Sequence, residues 1–267
     1  MNLPSLLLSV WLVAAVAQAL AWSWQRKSRN AGIVDVLWTF LLGAAAIACA
    51  GLSEGWLPRR LLLAVLAGAW SLRLGLHLWT RFRSEPEDGR YAELRRAKGA
   101  GIDAWLFWFF QVQAFSVALL AFAFALPARS AVAGWQATDL LAVLVWLGAI
   151  VGESIADRQL AAWRTDPANR GRTCRAGLWR YSRHPNYFFE WLHWFTYPLL
   201  AIGSEAGWAA WLAPAGLLFL MLKVTGIPPT EARAVASRGD DYRDYQRTTN
   251  AFFPGPPRRL EAPSPTH

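Results

Sequence analysis

Ionisable side chains lie inside several long apolar segments of this sequence, where they could act as acids, bases or ligand contacts. Asp35 and Glu190 are carboxylic acids in two such segments; His77 is an imidazole in a third, and His193 lies in the same segment as Glu190. Burying an ionised group is costly, so a carboxyl in an apolar setting tends to hold a proton at neutral pH. A neutral carboxyl can donate a hydrogen bond to a substrate carbonyl. Asp35 is therefore the candidate acid, and His77 could assist or orient it.

These polar residues are expected at similar depths. If each segment is a helix that rises about 1.5 Å per residue, Asp35, His77 and Glu190 lie about 6 to 8 Å from one membrane face. The other half of each segment is essentially apolar. The pattern predicts a polar chamber open to one side, and it disfavours a channel or pump, which needs polar groups at every depth. The alternative is a set of structural ion pairs, such as Asp35 with Arg73.

The elements that would position these residues are transmembrane helices. Apolar residues make up 55% of the 267 residues and charged residues 17%, and the chain has 17 Trp. A bilayer core about 30 Å thick needs about 20 apolar residues per helix. We predict an all-α polytopic membrane protein with seven transmembrane helices, at Pro4–Trp24, Ala31–Leu52, Leu61–Thr80, Ala104–Leu126, Thr138–Ala156, Pro185–Gly203 and Gly207–Ile227.

The same composition argues against other classes of protein. The chain is too apolar for a disordered protein, and two cysteines cannot support a disulfide-built domain. The chain has a net charge of +9, but it has too few polar residues to form the surface of a soluble nucleic-acid binder. We therefore expect no nucleic-acid partner. Of the 27 Lys and Arg residues, 22 fall in alternate loops and the C-terminal tail. This asymmetry predicts an N-terminus outside and a C-terminus in the cytosol.

The loop between the fifth and sixth predicted helices contains seven arginines. A guanidinium binds phosphate oxygens in a planar, bidentate manner, so this loop favours a phosphate-bearing ligand. Binding to anionic lipid headgroups is the alternative. Glu190 and His193 have the spacing of a di-metal motif, but the motif needs a second copy that the sequence lacks. We therefore expect no metal.

Four stretches of sequence carry a family resemblance. Residues 177–191 read GLWRYSRHPNYFFEW, 223–231 read KVTGIPPTE, 241–246 read DYRDYQ and 87–91 read EDGRY. Together they resemble the steroid 5-alpha-reductase superfamily, in its bacterial branch, over nearly the whole chain.

The resemblance implies a seven-helix membrane enzyme that uses NADPH to reduce the C4–C5 double bond of 3-oxo-4-ene steroids. In that family an acid near the end of the second helix, here Asp35, helps to polarise the steroid carbonyl. Hydride goes to C5 and a proton to C4. The implied catalytic residues are Asp35, His77 and Glu190. The implied cofactor-binding residues are Arg90, Tyr91, Glu153, Asp157, Arg164, Arg172, Tyr181, His184, Asn186, Tyr187, Lys223 and Glu231.

Two other functions stay open at this point. An isoprenylcysteine-type carboxyl methyltransferase that uses S-adenosylmethionine would share the RHP stretch at 183–185 and the late Glu231. A non-enzymatic lipid-binding membrane protein is the other alternative. For the reductase we expect one catalytic domain over residues 1–257, a flexible tail over 258–267, and a monomer in the bacterial inner membrane. Its substrate would be a steroid or a related enone lipid that enters from the bilayer.

Overall fold

The computed structural model describes residues 1–258, which form α-helices joined by short loops and 3₁₀ turns, with no strand in that range. The predicted all-α class is confirmed. The helices are α1 (Leu3–Ser28), α2 (Ile33–Leu52), α3 (Leu57–Ser84), α4 (Gly89–Lys98), α5 (Ile102–Ala128), α6 (Ala137–Thr165), α7 (Pro185–His193), α8 (Thr196–Leu200), α9 (Leu212–Lys223), α10 (Ile227–Arg238) and α11 (Asp240–Thr248).

Within residues 1–258, six helical stretches are long and apolar enough to cross a membrane. They are Leu3–Ser28, Ile33–Leu52, Leu57–Ser84, Gly89–Ala128, Ala137–Thr165 and Gly207–Arg238. Each contains a window of 18 residues with mean hydropathy between 1.7 and 2.1. This is the character of an integral membrane protein. The orientation deduced from the loop charges stays a prediction.

The remaining predicted span, Pro185–Gly203, is not a continuous helix. α7 ends at His193, and the five-residue α8 begins at Thr196. Pro198 has no backbone N–H to donate, and its ring clashes with the carbonyl four residues earlier, so the helix of α7 cannot continue through it. Neither piece is long enough by itself to cross a bilayer, and the seven-span count stays a prediction.

The described chain divides into two compact units, each assembled from two separate stretches of sequence. The first comprises Met1–Ala142 and Tyr197–Trp211; the second comprises Val143–Thr196 and the chain from Leu212 onward. The expected single domain over 1–257 stays a prediction. Most of the expected tail, residues 259–267, lies outside the described residues.

In the first unit, α2 packs against α3 through small residues. A Cβ atom added to Gly43 would lie 2.3 Å from Oγ of Ser71, and one added to Gly75 would lie 2.6 Å from the Phe40 ring. The Ser71 hydroxyl donates to the carbonyl of Thr39 at 2.8 Å. Small residues allow helix backbones to approach closely where apolar surface alone gives little driving force for association.

A buried arginine fixes the far end of the same unit. Arg59, at the start of α3, forms a bidentate ion pair with Asp139 at 2.8 Å on both sides. Its other N–H groups donate to Ser130 Oγ and to the carbonyls of Val132 and Gly134. All five guanidinium N–H groups therefore have acceptors, which is what makes a side chain only 1% exposed tolerable here.

In the second unit, the C-terminal segment fastens the loop between α6 and α7. The Tyr245 hydroxyl donates to the carbonyls of Trp179 and Ser182. The Ser182 hydroxyl donates to the carbonyl of Phe252 at 2.8 Å. Gly177, which has a φ of 57°, packs so closely on the Gln159 side chain that a Cβ there would clash. The residues that directly precede the RHP stretch are thus held between α6 and the segment around Tyr245 and Phe252.

We predict that Gly43→Val destabilises the protein because the added side chain must push α2 away from Ser71. Overpacking of this kind costs about 1–3 kcal/mol, so the melting temperature in detergent should fall by several degrees. Gly51→Val is the matched control, since it lies in the same helix with open space around its Cβ position. Equal melting temperatures for the two variants would contradict the close approach.

Candidate functional site

The Asp35 carboxyl is the centre of a hydrogen-bonded cluster in the first unit. It lies in the first turn of α2. The Tyr91 hydroxyl lies 3.2 Å from each of its oxygens, and Arg90 Nη2 donates to Oδ2 at 3.1 Å. The cluster brings together one predicted catalytic residue and two predicted cofactor-binding residues. The guanidinium that pairs with Asp35 belongs to Arg90, where the sequence-based alternative had named Arg73.

Asp88 completes this cluster from the other side of Arg90. Its carboxyl accepts from Arg90 Nε at 3.1 Å and from Nη2 at 3.3 Å. It also caps α4, because Oδ1 accepts from the backbone N–H of Arg90 at 2.9 Å. Asp35, Asp88 and Arg90 all line a small cavity of about 70 Å³, to which α3 contributes Leu78 and Arg81.

A second ion pair anchors α4 over the end of α1. Arg95 Nε donates to both oxygens of Glu87, and its Nη2 donates to Oε1 of Gln25 at 2.7 Å. Glu87 also accepts from the backbone N–H of Ala31 at 2.7 Å. These bonds tie α4 and the loop before it to the α1–α2 turn, and they hold Tyr91 against Asp35.

In the second unit, the Glu231 carboxylate is contacted by donor groups of four residues at once. Arg183 donates to both oxygens, at 2.6 and 3.1 Å, and Gln246 Nε2 donates to Oε2 at 2.8 Å. The His184 ring lies 3.1 Å from Oε1, and the Tyr242 hydroxyl donates at 3.4 Å. Burial and then the charge of Glu231 raise the pKa of Tyr242 far above its ordinary value, so its hydroxyl stays protonated. Glu231 is thus a structural hub whose acceptor capacity is already used within the chain.

Several predicted cofactor-binding residues lie close together at the start of α7. The His184 and Tyr187 rings stack with centroids 5.3 Å apart, and the Tyr187 hydroxyl lies 3.4 Å from Thr230 Oγ1. The Asn186 amide donates to Asp157 Oδ1 at 3.3 Å. The structure therefore gathers four predicted cofactor-binding residues, His184, Asn186, Tyr187 and Asp157, around the N-terminus of α7.

An open cleft of about 640 Å³ lies elsewhere in the second unit, lined by Trp163, Arg172, Thr173, Arg175 and Asp241, with Ala176. Among residues 1–258, neither Trp163 Nε1 nor Thr173 Oγ1 has a hydrogen-bond partner, although both atoms are buried. Burial acts against ionisation of Asp241, but a hydrogen bond from the backbone N–H of Thr173 and the charge of Arg175 outweigh it and hold the pKa of Asp241 below its ordinary value. The cleft thus offers two cations and an aromatic residue to a ligand.

The other predicted site residues are distributed over α3, α6, α7, α9 and the loop before α7. His77 is half-buried on α3, next in sequence to the cavity-lining Leu78. Glu190 accepts from Nε1 of Trp194 at 3.1 Å, and Glu153 is buried on α6 one turn before Asp157. The remaining three are exposed: Arg164, Tyr181 and Lys223.

Sequence reasoning did not include several residues that the structure places in these clusters, namely Asp88, Arg183, Tyr242 and Gln246. Each lies in a stretch that carried the family resemblance. Tyr242 and Gln246 are also four residues apart on α11, a spacing that puts both on one helix face. That periodicity was the available signal for the hub.

We predict that Glu231→Gln destabilises the protein, because it leaves the nearly buried Arg183 guanidinium without a counter-charge. Breaking a buried ion pair from one side costs roughly 3 kcal/mol, which should appear as a marked fall in melting temperature in detergent. Glu205→Gln, at an exposed carboxylate, is the control and should melt like the wild type. A Glu231→Gln variant as stable as this control would show that the hub is dispensable.

Comparison with known proteins adds a family but no activity. The uncharacterized protein C594.04c of Schizosaccharomyces pombe is 28% identical to this chain over 276 aligned positions, which cover 91% of this chain and 78% of the yeast protein. No solved structure matches the chain. The family described as "Protein of unknown function (DUF1295)" matches residues 21–249, and the chain therefore belongs to the DUF1295 family.

Proposed function

We propose that this protein is an NADPH-dependent reductase of the C4–C5 double bond in 3-oxo-4-ene steroids or related enone lipids. The observation that carries the proposal is the Asp35 cluster: an acid on an apolar helix, bound by a buried tyrosine hydroxyl and lining a cavity. The resemblance of the four motif stretches to steroid 5-alpha-reductases supplies the reaction. We further propose a bacterial inner-membrane location with the charged loops in the cytosol.

The chemistry that these side chains can perform is polarisation of a carbonyl. A proton on Asp35 would be donated toward the C3 oxygen of the enone, which makes C5 electrophilic. Tyr91 keeps the carboxyl oriented, since its hydroxyl contacts both oxygens of Asp35. The buried position of Tyr91, which packs with Val34 and Phe110, keeps that hydroxyl in place.

Residues of the second unit would supply the hydrogen-bond donors for NADPH. Arg172 and Arg175 would hold phosphate oxygens, and Trp163 would contact a flat ring at the same cleft. Asn186 and Tyr187, at the start of α7, would contact the remainder of the cofactor. When bound, NADPH would supply the hydride that reaches C5.

We predict that Asp35→Asn abolishes reduction of a 3-oxo-4-ene steroid while NADPH binding persists, because the amide cannot donate an acidic proton. General acid catalysis contributes about 10²- to 10⁴-fold, so turnover should fall by at least the lower figure. Rates are measured by NADPH oxidation and steroid product analysis in detergent. Asp103→Asn removes a carboxylate from the Arg26 ion pair in the same unit and should leave the rate unchanged. Wild-type turnover by Asp35→Asn would refute the acid role.

A separate prediction concerns the cleft. Arg172→Ala should raise the KM for NADPH by about tenfold, the effect of losing one charge-assisted hydrogen bond, and the effect should shrink at high salt. Arg180→Ala removes an exposed arginine from the same loop and is the control. An unchanged KM in Arg172→Ala would favour headgroup binding by this loop over cofactor binding.

The rival activities give different results in a direct binding experiment. The purified protein should retain or bind NADPH in detergent. Tight binding of S-adenosylmethionine without NADPH would support the methyltransferase alternative, and binding of neither would support a lipid-binding protein. The RHP stretch and Glu231 do not distinguish the reductase from the methyltransferase, because their contacts with each other stabilise the second unit in either case.

A further inference from the structure

In the Asp35 cluster, two carboxylates share one guanidinium. Asp88 takes the Nε–Nη2 edge of Arg90 in a bidentate pair, and Asp35 receives a single bond from Nη2. With both carboxyls ionised, Asp35, Asp88 and Arg90 would carry one net negative charge. Two like charges so close together favour binding of a proton by one of them.

The geometry points to Asp35 as the carboxyl that takes that proton. Asp88 is stabilised as a carboxylate by the two guanidinium bonds and by the backbone N–H that it caps. Asp35 has one guanidinium bond and the neutral hydroxyl of Tyr91. Hydrogen bonds to the charged form stabilise that form, so the better-bonded Asp88 stays ionised.

We propose that Asp88 is a positioning residue that holds Arg90 back from full pairing with Asp35 and thereby leaves Asp35 able to carry the catalytic proton. The inference rests on the proposed function for its catalytic meaning, although its structural part can be tested without it. If Asp88 were neutral, the edge of Arg90 would be free to form a bidentate pair with Asp35 and fix it as a carboxylate.

The cavity provides the route by which Asp35 would be reprotonated. Its volume of about 70 Å³ is enough for a water molecule, and its lining includes Asp35 and the polar side chain of Asn30. The charged groups that face it besides Asp35 are Arg81 and Glu85, from α3 and its C-terminal end, and Asp88 and Arg90. Water in this cavity would reach the Asp35 carboxyl directly.

The test compares Asp88→Asn, Arg90→Gln and the double variant Asp88→Asn/Arg90→Gln. Asparagine caps helices as well as aspartate, so Asp88→Asn preserves the start of α4 while it removes the charge that holds Arg90. The first readout is independent of activity. A hydrophobic carbodiimide modifies protonated carboxyls, and mass spectrometry of the full-length protein after digestion locates the adduct, with Asp35→Asn as the assignment control.

We expect carbodiimide modification of Asp35 to be about tenfold slower in Asp88→Asn than in the wild type, because one extra charge-assisted bond holds it as a carboxylate. The double variant should recover wild-type or faster modification, since no guanidinium remains to pair with Asp35. Asp88→Glu should resemble the wild type. Unchanged modification in Asp88→Asn, or a double variant as slow as Asp88→Asn, would overturn the proposal.

Turnover supplies the second readout. In Asp88→Asn, kcat for the enone should fall while the KM for NADPH stays constant, and Arg90→Gln in the same chain should restore kcat. Loss of folding could not produce that restoration. If Asp35 modification is slowed in Asp88→Asn and restored in the double variant but no variant reduces the enone, the proposed function is wrong and the positioning role of Asp88 is supported. If the protein reduces the enone but Asp35 is modified at the same rate in every variant, the proposed function is supported and the positioning role is wrong.

Discussion

The structure depends on one constraint, which is that polar groups among apolar helices must find partners within the chain. A low-dielectric setting offers no water to replace a missing hydrogen bond, so each orphaned group costs several kcal/mol. Arg59 meets the constraint with acceptors for all five N–H groups. Gln18, fully buried on α1, meets it in part by donating to the carbonyl of Val34.

The same constraint explains why the two polar clusters take the form they do. Asp35 is in the first turn of an apolar helix, and its partners come from α4, which the Glu87–Arg95 pair binds to the α1–α2 turn. Glu231 collects its partners from α11 and from the RHP stretch. In both units, a short polar helix, α4 or α11, supplies groups that satisfy an acid. The two acids differ in how much of their hydrogen-bond acceptor capacity is used within the chain. Glu231 is surrounded by donors from four residues, whereas Asp35 lines a cavity.

That difference bears on the roles proposed for Glu231 and Asp35. The resemblance gave His184 and Glu231 as cofactor-binding residues, and their contact with each other and with Arg183 shows that they hold the second unit together. A structural hub can be as distinctive in sequence as a catalytic acid. Asp35, by contrast, keeps a carboxyl beside a cavity with a tyrosine hydroxyl at 3.2 Å, which is an arrangement with chemical use.

The all-helical class and six of the spanning segments could be predicted from the sequence, because hydropathy over about 20 residues reflects a property of each segment alone. Asp35 could be singled out for a similar reason: an acid within an apolar run is unusual wherever the run packs. Its partner could not be predicted. Arg73 and Arg90 are both basic residues of the same stretch of chain, and only the path of the loop after α3 decides which guanidinium reaches Asp35.

The sequence by itself therefore determined which segments are helical and apolar, and which polar residues would be costly to bury. Only the tertiary structure decided how those costs are met. The return of α4 onto α2 and the sharing of Arg90 between Asp35 and Asp88 both depend on contacts between residues distant in sequence. Such contacts depend on packing and on the geometry of hydrogen bonds, and neither can be deduced from the composition of a single segment.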